Sequence, residues 1–220
     1  MKSTLLWIGI GLGLMQPAYG LKLEWQDHEV IEGEAIGEDI TVSRAEVPNS
    51  GILGFRGDTV IKAPIGKIFD VLADRDHRIE WVDRLDVNRE LQRVSPRESI
   101  VYQSFGLPWP IADRDYVYRA KATTRLDGSV LLTLESTTHP ESPESTGVRA
   151  HLHMSRYVLT PLDGTKTRVE VEIHTDPRGL LPNWLVNIIQ KSWPAKTLEG
   201  IRRQVKKPFV KVRNLPPVAH

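Results

Sequence analysis

Three histidines and an acid, His151, His153, His174 and Asp176, are the first residues in this sequence whose types and spacing suggest chemistry. His151 and His153 alternate on one extended segment, so their side chains share a face. A hairpin through Asp163-Gly164 brings His174 and Asp176 opposite them. Imidazoles so placed could ligate zinc, with the carboxylate as fourth ligand. The same face carries Glu170 and Glu172, and a solvated sheet face accounts for the whole set, so no metal is assigned. Asp113-Arg114-Asp115 comes next. On an extended chain its carboxylates face one way and its guanidinium the other. That geometry permits paired-acid catalysis, but such a run more often ties a strand entry to a neighbouring loop through ion pairs. The third group is aromatic: Phe105, Trp109, Tyr116 and Tyr118, around Gly106-Leu107-Pro108-Trp109-Pro110. It reads as core, or as a pocket wall offering apolar area and orienting hydroxyls. The sequence holds no G-x-S-x-G elbow, H-E-x-x-H, Walker loop or cysteine. No catalytic residue and no cofactor are assigned.

These groups need elements to position them. Ile52 to Ala63 reads as a strand after the turn Asn49-Ser50-Gly51, and Leu21 to Val47 as short strands or a strand and loop. Pro64 opens a helix from Ile65 to about Arg84, broken near the polar run 74–78. Strands are predicted over 87–94, 98–105, 115–126, 130–138, 150–160 and 166–175, with turn chemistry at Ser95-Pro96, Asp127-Gly128 and Asp163-Gly164. If Asp163-Gly164 is a two-residue turn, Leu152 faces Thr175, Met154 faces Ile173 and Arg156 faces Val171. Arg156 is then the misfit on an otherwise apolar face, the mark of a bulge or slipped register. Residues 180–207 form a long amphipathic helix, with Leu181, Trp184, Leu185, Ile188, Ile189, Trp193, Leu198, Ile201 and Val205 at steps of three and four. Pro194 should kink it. Strands, a helix, a run of antiparallel strands and a closing helix make the class α+β.

The first 20 residues, with Lys2, an uncharged apolar run and Ala18-Tyr19-Gly20, predict a cleaved signal peptide and a periplasmic or secreted protein. Lys2 is one of 29 Lys and Arg residues against 28 Asp and Glu, so the processed chain, residues 21–220, is formally neutral. That excludes the basic excess of a nucleic-acid binder. One domain is expected over 21–207, with 208–220 as a flexible tail.

The segment 105–117, FGLPWPIADRDYV, resembles the PWP…DRD-aromatic segment of START-type lipid-transfer domains, of the START and Bet v 1-like helix-grip superfamily. Gly147-Val148-Arg149, followed by a strand ending Leu159-Thr160-Pro161, does so too, and 177–207 resembles their closing helix. The resemblance covers about 52–207 and implies a helix-grip fold: a curved antiparallel sheet around the C-terminal helix, enclosing a hydrophobic tunnel for one lipid, sterol or phospholipid. It implies gating by the loop His139 to Gly147 and inward positions at Tyr116, Tyr118, Ala120 and Ala122. Some sterol-binding relatives bury an acid–arginine pair, and Val101 and Ala120 stand at those positions here, which leaves the ligand's identity open. Family position and strand alternation together give a ligand-binding set of Val101, Gln103, Phe105, Trp109, Tyr116, Tyr118, Ala120, Arg149, Leu152, Met154, Val171, Ile173, Trp184, Leu185 and Ile188. The expected function is binding of a hydrophobic small molecule by a monomer, with transfer between membranes and transient membrane contact left open. The alternative is a cyclase or hydratase on the same scaffold, using Tyr116, Tyr118, Arg149 and Arg156.

Overall fold

The computed structural model describes residues 23–31 and 38–218. The signal-peptide expectation, and the part of the Leu21 to Val47 reading that falls on 21–22 and 32–37, lie outside these residues. β1 (Gln26–Ile31), β2 (Ile40–Ala45) and β3 (Gly54–Ile61) come first. α1 (Ile65–Ala73) follows, then a 3-10 turn at Arg78–Glu80. β4 (Leu85–Ser95), β5 (Glu98–Phe105), β6 (Arg114–Thr124) and β7 (Val130–Ser136) run in sequence. β8 (Val148–Arg149), β9 (His151–Pro161) and β10 (Thr167–Asp176) complete the sheet, and α2 (Asn183–Lys191) and α3 (Trp193–Gln204) close it.

The sheet has ten strands in the order β1-β2-β3-β10-β9-β7-β6-β5-β4, with β8 beside β6. All neighbours are antiparallel except β6 and β8. Both edges are irregular: β1 carries one register shift and β4 three, which discourages edge-to-edge pairing. Ile68, Val71 and Leu72 bury one side of α1, and α3 lies across β3 with Leu198 and Ile201 fully buried. Small residues let α3 sit close. A Cβ on Gly57 would come within 2.9 Å of Leu198 Cδ1 and Pro194 Cβ, and one on Gly200 within 2.5 Å of the Trp81 carbonyl. This is the expected helix-grip fold. The closing helix breaks as Pro194 predicts, because that residue falls in the first turn of α3, where a missing N–H costs nothing.

Three expectations change. The β9–β10 connection spans 162–166, with the Leu162 N–H donating to the Lys166 carbonyl at 3.0 Å, so it is longer than a two-residue turn. Ser155 therefore faces Ile173 and Tyr157 faces Val171. A bulge at His174/Thr175 then returns Leu152 to Thr175. Met154 moves off the inner face, and Arg156 is no misfit: it points away from the core and pairs with Glu172 at 2.6 Å. The other two concern the C-terminus. Helix α2 is turned from its expected orientation, as described below, and the tail does not hang free. Val210 is buried, Leu215 packs on the core, and Arg213 Nε donates to Asp70 Oδ1 at 2.7 Å. Phe209 stacks on His77 with ring centroids 3.9 Å apart.

Candidate ligand chamber

A chamber of about 260 Å³ lies between the concave face of the sheet and α2–α3. Alternation along the strands builds its walls. Gln103 and Phe105 come from β5, Tyr116 and Tyr118 from β6, and Leu134 from β7. The bulged β9 gives Leu152, Ser155 and Tyr157, and β10 gives Ile173 and Thr175. The roof is Val186, Ile189 and Gln190 of α2 with Trp193 and Thr197 of α3, residues spaced three and four apart on one helical side. Leu107, Pro177 and Leu181 border the mouth together with Asp83, Arg84 and Lys196. Lys196 Nζ pairs with Asp83 at 2.8 Å across that rim.

The polar groups inside are few and mostly engaged. Thr175 Oγ1 lies 3.2 Å from the Tyr116 hydroxyl and 3.0 Å from the His151 carbonyl. Gln190 Nε2 donates to the Thr175 carbonyl at 3.1 Å, and its Oε1 is buried without a partner. Gln103 Nε2 donates to Asn88 Oδ1 at 3.0 Å. Burial pushes up the Tyr116 and Tyr118 hydroxyls, and that of Tyr157 to about 12, so all three stay neutral donors at ordinary pH. Arg78 is buried at the inner end, its Nη1 donating to the Leu72 carbonyl at 3.0 Å and its guanidinium 5.1 Å from the Trp81 ring centroid.

Of the residues expected at the site, Gln103, Phe105, Tyr116, Tyr118, Leu152 and Ile173 line this chamber. Val101 and Val171 are sealed in the core. Ala120 lines a second cavity. Trp109 is 93% exposed, Trp184 64% and Ile188 62%, while Leu185 and Met154 lie outside the chamber wall. The gating-loop residues 139–147 do not border it either. The rotation of α2 has a local cause. Asn187 Oδ1 accepts from the Leu53 N–H at 2.9 Å and its Nδ2 donates to the Gly51 carbonyl at 3.3 Å. This pins one polar side to the 51–53 segment and swings Trp184 and Ile188 outward. Sequence reasoning missed Arg78, Ser155, Tyr157, Gln190 and Trp193. Trp193 had a signal in the apolar spacing of the helix, whereas Arg78 sits in a polar run with nothing to set it apart.

The other clusters serve structure. Arg114 Nε donates to the Pro177 carbonyl at 2.7 Å and Nη2 to the Arg178 carbonyl at 3.1 Å, and Asp113 Oδ1 accepts from the Leu107 N–H at 3.0 Å. Asp115, buried on the opposite side of β6, bonds Arg149 Nε, and Arg149 Nη2 donates to the Pro143 carbonyl at 2.7 Å. The run is a clasp between loops. Arg149 therefore belongs to the outer face. The His153 and His174 rings stack at 4.5 Å, and burial lowers both imidazoles. Among the described residues no group of three or more His, Asp or Glu side chains is placed to hold a metal ion.

The START domain family matches residues 36–208. An uncharacterised protein of Pseudomonas aeruginosa is 25% identical over 186 residues, covering 80% of this chain and 92% of that one. Phosphatidylcholine transfer protein of Rattus norvegicus is 28% identical over 163 residues, covering 71% and 72%. Among solved structures, human StAR-related lipid transfer protein 5 superposes with a TM-score of 0.73 at 22% identity, covering 83% of this chain and 86% of that one. A STAR-related lipid transfer protein from Xanthomonas axonopodis gives 0.71 at 24% identity, covering 83% and 99%. The structural likenesses speak to the fold, and the match across 36–208 speaks to the family: this chain belongs to the START domain family.

Proposed function

We propose that the protein binds one hydrophobic small molecule, a lipid, in the chamber under α2–α3 and releases it at a membrane. The observation that carries this reading is the chamber itself: aromatic and aliphatic walls, a handful of buried polar groups, and a charged rim. Moving about 300 Å² of apolar ligand surface out of water favours binding by about 7 kcal/mol before ordering costs. Such binding needs no covalent step. The phosphatidylcholine transfer proteins among its relatives support a lipid as cargo. Trp184 and Ile188 stand exposed on the outer side of α2, Leu180 in the segment just before it, and Trp109 on the loop before β6, a placement suited to contact with a bilayer.

A cyclase-type reading finds less support. Arg149 and Arg156, two of the groups it would use, lie on the outer face in ion pairs with Asp115 and Glu172. Native mass spectrometry with lipid extraction, on protein purified from its own source, tests the carrier reading. One bound lipid per chain is expected. A protein that arrives empty, and takes up no lipid from mixed vesicles, would overturn it.

A further inference from the structure

A second cavity, of about 320 Å³, lies beyond Arg78, Tyr118 and Leu134, which wall both spaces. Part of its lining is apolar, from Phe69 and Leu72 of α1 and Ala120 and Leu132 of the sheet. Its outer wall is the tail, from Arg213 to Pro217, which follows the residues matched by the family. The tail is fastened there. Thr124 Oγ1 donates to the Pro216 carbonyl at 2.5 Å, and Arg97 Nη1 to the Pro217 carbonyl at 3.3 Å.

The charge around this cavity is one-sided. Arg75, Arg78, Arg93, Arg97 and Arg213 line it against a single lining carboxylate, Glu98. Glu98 is engaged by Arg119, Asp70 holds Arg213, and Glu90 is shared between Arg75 at 3.5 Å and Arg93 at 2.8 Å. Among the described residues no ion pair includes Arg78 or Arg97. Arg78 is 4% exposed and its Nε has no partner; the Tyr118 hydroxyl, equally buried, has none either. Burial lowers the Arg75 guanidinium, and the neighbouring charges of Arg78 and Arg93 lower it too, against the opposing pull of Tyr118 and Glu90. Arginine keeps its proton in proteins, so the crowding remains as repulsion that a bound anion would relieve.

We infer that the tail-walled cavity is an anion site, built to receive a phosphate or carboxylate group. The group comes either on the end of an amphiphile whose apolar body lies in the first chamber or as a free small anion. The amphiphile source rests on the carrier reading above. Guanidinium forks match both oxyanions, and the two unpartnered donors at the shared wall give such a group its hydrogen bonds.

Calorimetric titration of the full chain with dodecyl phosphate, dodecanol and inorganic phosphate tests this, on the wild type and on Arg75→Gln and Arg97→Gln. Dodecyl phosphate should bind about tenfold or more tighter than dodecanol. Both substitutions should erase that advantage and leave dodecanol binding unchanged, while Arg97→Lys retains most of it. Arg97 is exposed, so its variants test the site even if Arg75→Gln folds poorly. Inorganic phosphate binding that is lost in Arg97→Gln assigns a free anion, and silence from inorganic phosphate beside a wild-type dodecyl phosphate advantage that the Gln variants lose assigns the amphiphile. Equal binding of dodecanol and dodecyl phosphate, without phosphate binding, overturns the anion site and leaves the carrier reading standing. An advantage that survives both Gln variants also overturns it. No binding by any probe overturns both readings.

Discussion

Ile173 faces the chamber from the middle of β10, opposite Ser155, and it tests single side chains cleanly. Ile173→Trp should put an indole into the space the ligand would use, at a cost to stability of about 1–3 kcal/mol. Native mass spectrometry should then find the folded protein without its lipid. A variant that still carries one lipid per chain would mean that the ligand sits elsewhere. At this scale the sequence was legible where two signals agreed. Tyr116 and Tyr118 follow the Asp-Arg-Asp run on a regular strand, where alternation puts them on one face and the resemblance to START-type domains makes that face the inner one. It was illegible where position depends on a bulge. His153 and Met154 both leave the inner face between Leu152 and Ser155, and no residue type announces that extra step. Arg78 was hidden for another reason. Its burial beside Trp81 depends on where the 3-10 turn meets α3, through the close approach of Gly200 to the Trp81 carbonyl.

Elements were easier to read than their rotations. The strand pattern and the break at Pro194 follow from turn residues and proline chemistry, but α2 carries apolar residues around most of its circumference. Its facing is chosen by Asn187, whose two bonds to the 51–53 segment hold the roof of the chamber. Asn187→Ala strands the Leu53 N–H, at a cost of about 1–3 kcal/mol, and frees α2 to lift. Stopped-flow release of a fluorescent lipid should accelerate severalfold. An unchanged rate would place the moving part elsewhere. The tail is the second element with a testable latch. His77 Nδ1 lies 2.7 Å from Asp74 Oδ2, and this hydrogen bond raises the His77 imidazole above its usual range. Burial opposes the shift at Asp74, but the bonds from His77 hold its carboxyl below its usual range. The raised His77 contributes stability that is complete below about pH 6.5 and is lost as pH rises through its folded value. The lowered Asp74 contributes above about pH 3.9 and loses that as pH falls. Because Phe209 stacks on this His77 ring, the tail should be held best in the window between. Between about pH 6 and about pH 8.5, the wild-type melting temperature should therefore fall more than that of His77→Gln. Parallel curves would remove His77 from the latch.

On the scale of the whole molecule, the polar and apolar surfaces are sorted around one end. Outer strand faces carry ion pairs such as Arg168–Asp58 and Arg156–Glu172, while Leu180, Trp184 and Ile188 expose apolar area beside the chamber mouth. Trp184 and Ile188 lie one helical turn apart on α2, so together they present a single apolar ridge. If the ridge meets the bilayer, the lipid passes from mouth to membrane without crossing water. The barrier to exchange is then lowered where apolar surface would otherwise be hydrated. Trp184→Glu with Ile188→Glu should leave the chamber wall intact, since neither residue lines it. The double variant should melt close to the wild type and keep its lipid in solution. Its co-flotation with phosphatidylcholine vesicles, and its rate of lipid exchange between two vesicle populations, should both fall at least about tenfold. That follows because two exposed side chains of this size each contribute about 1.5–3 kcal/mol when fully buried. Unchanged flotation and exchange would mean that the ridge serves something other than a membrane. Loss of the bound lipid in solution would instead show that the outer side of α2 supports the roof.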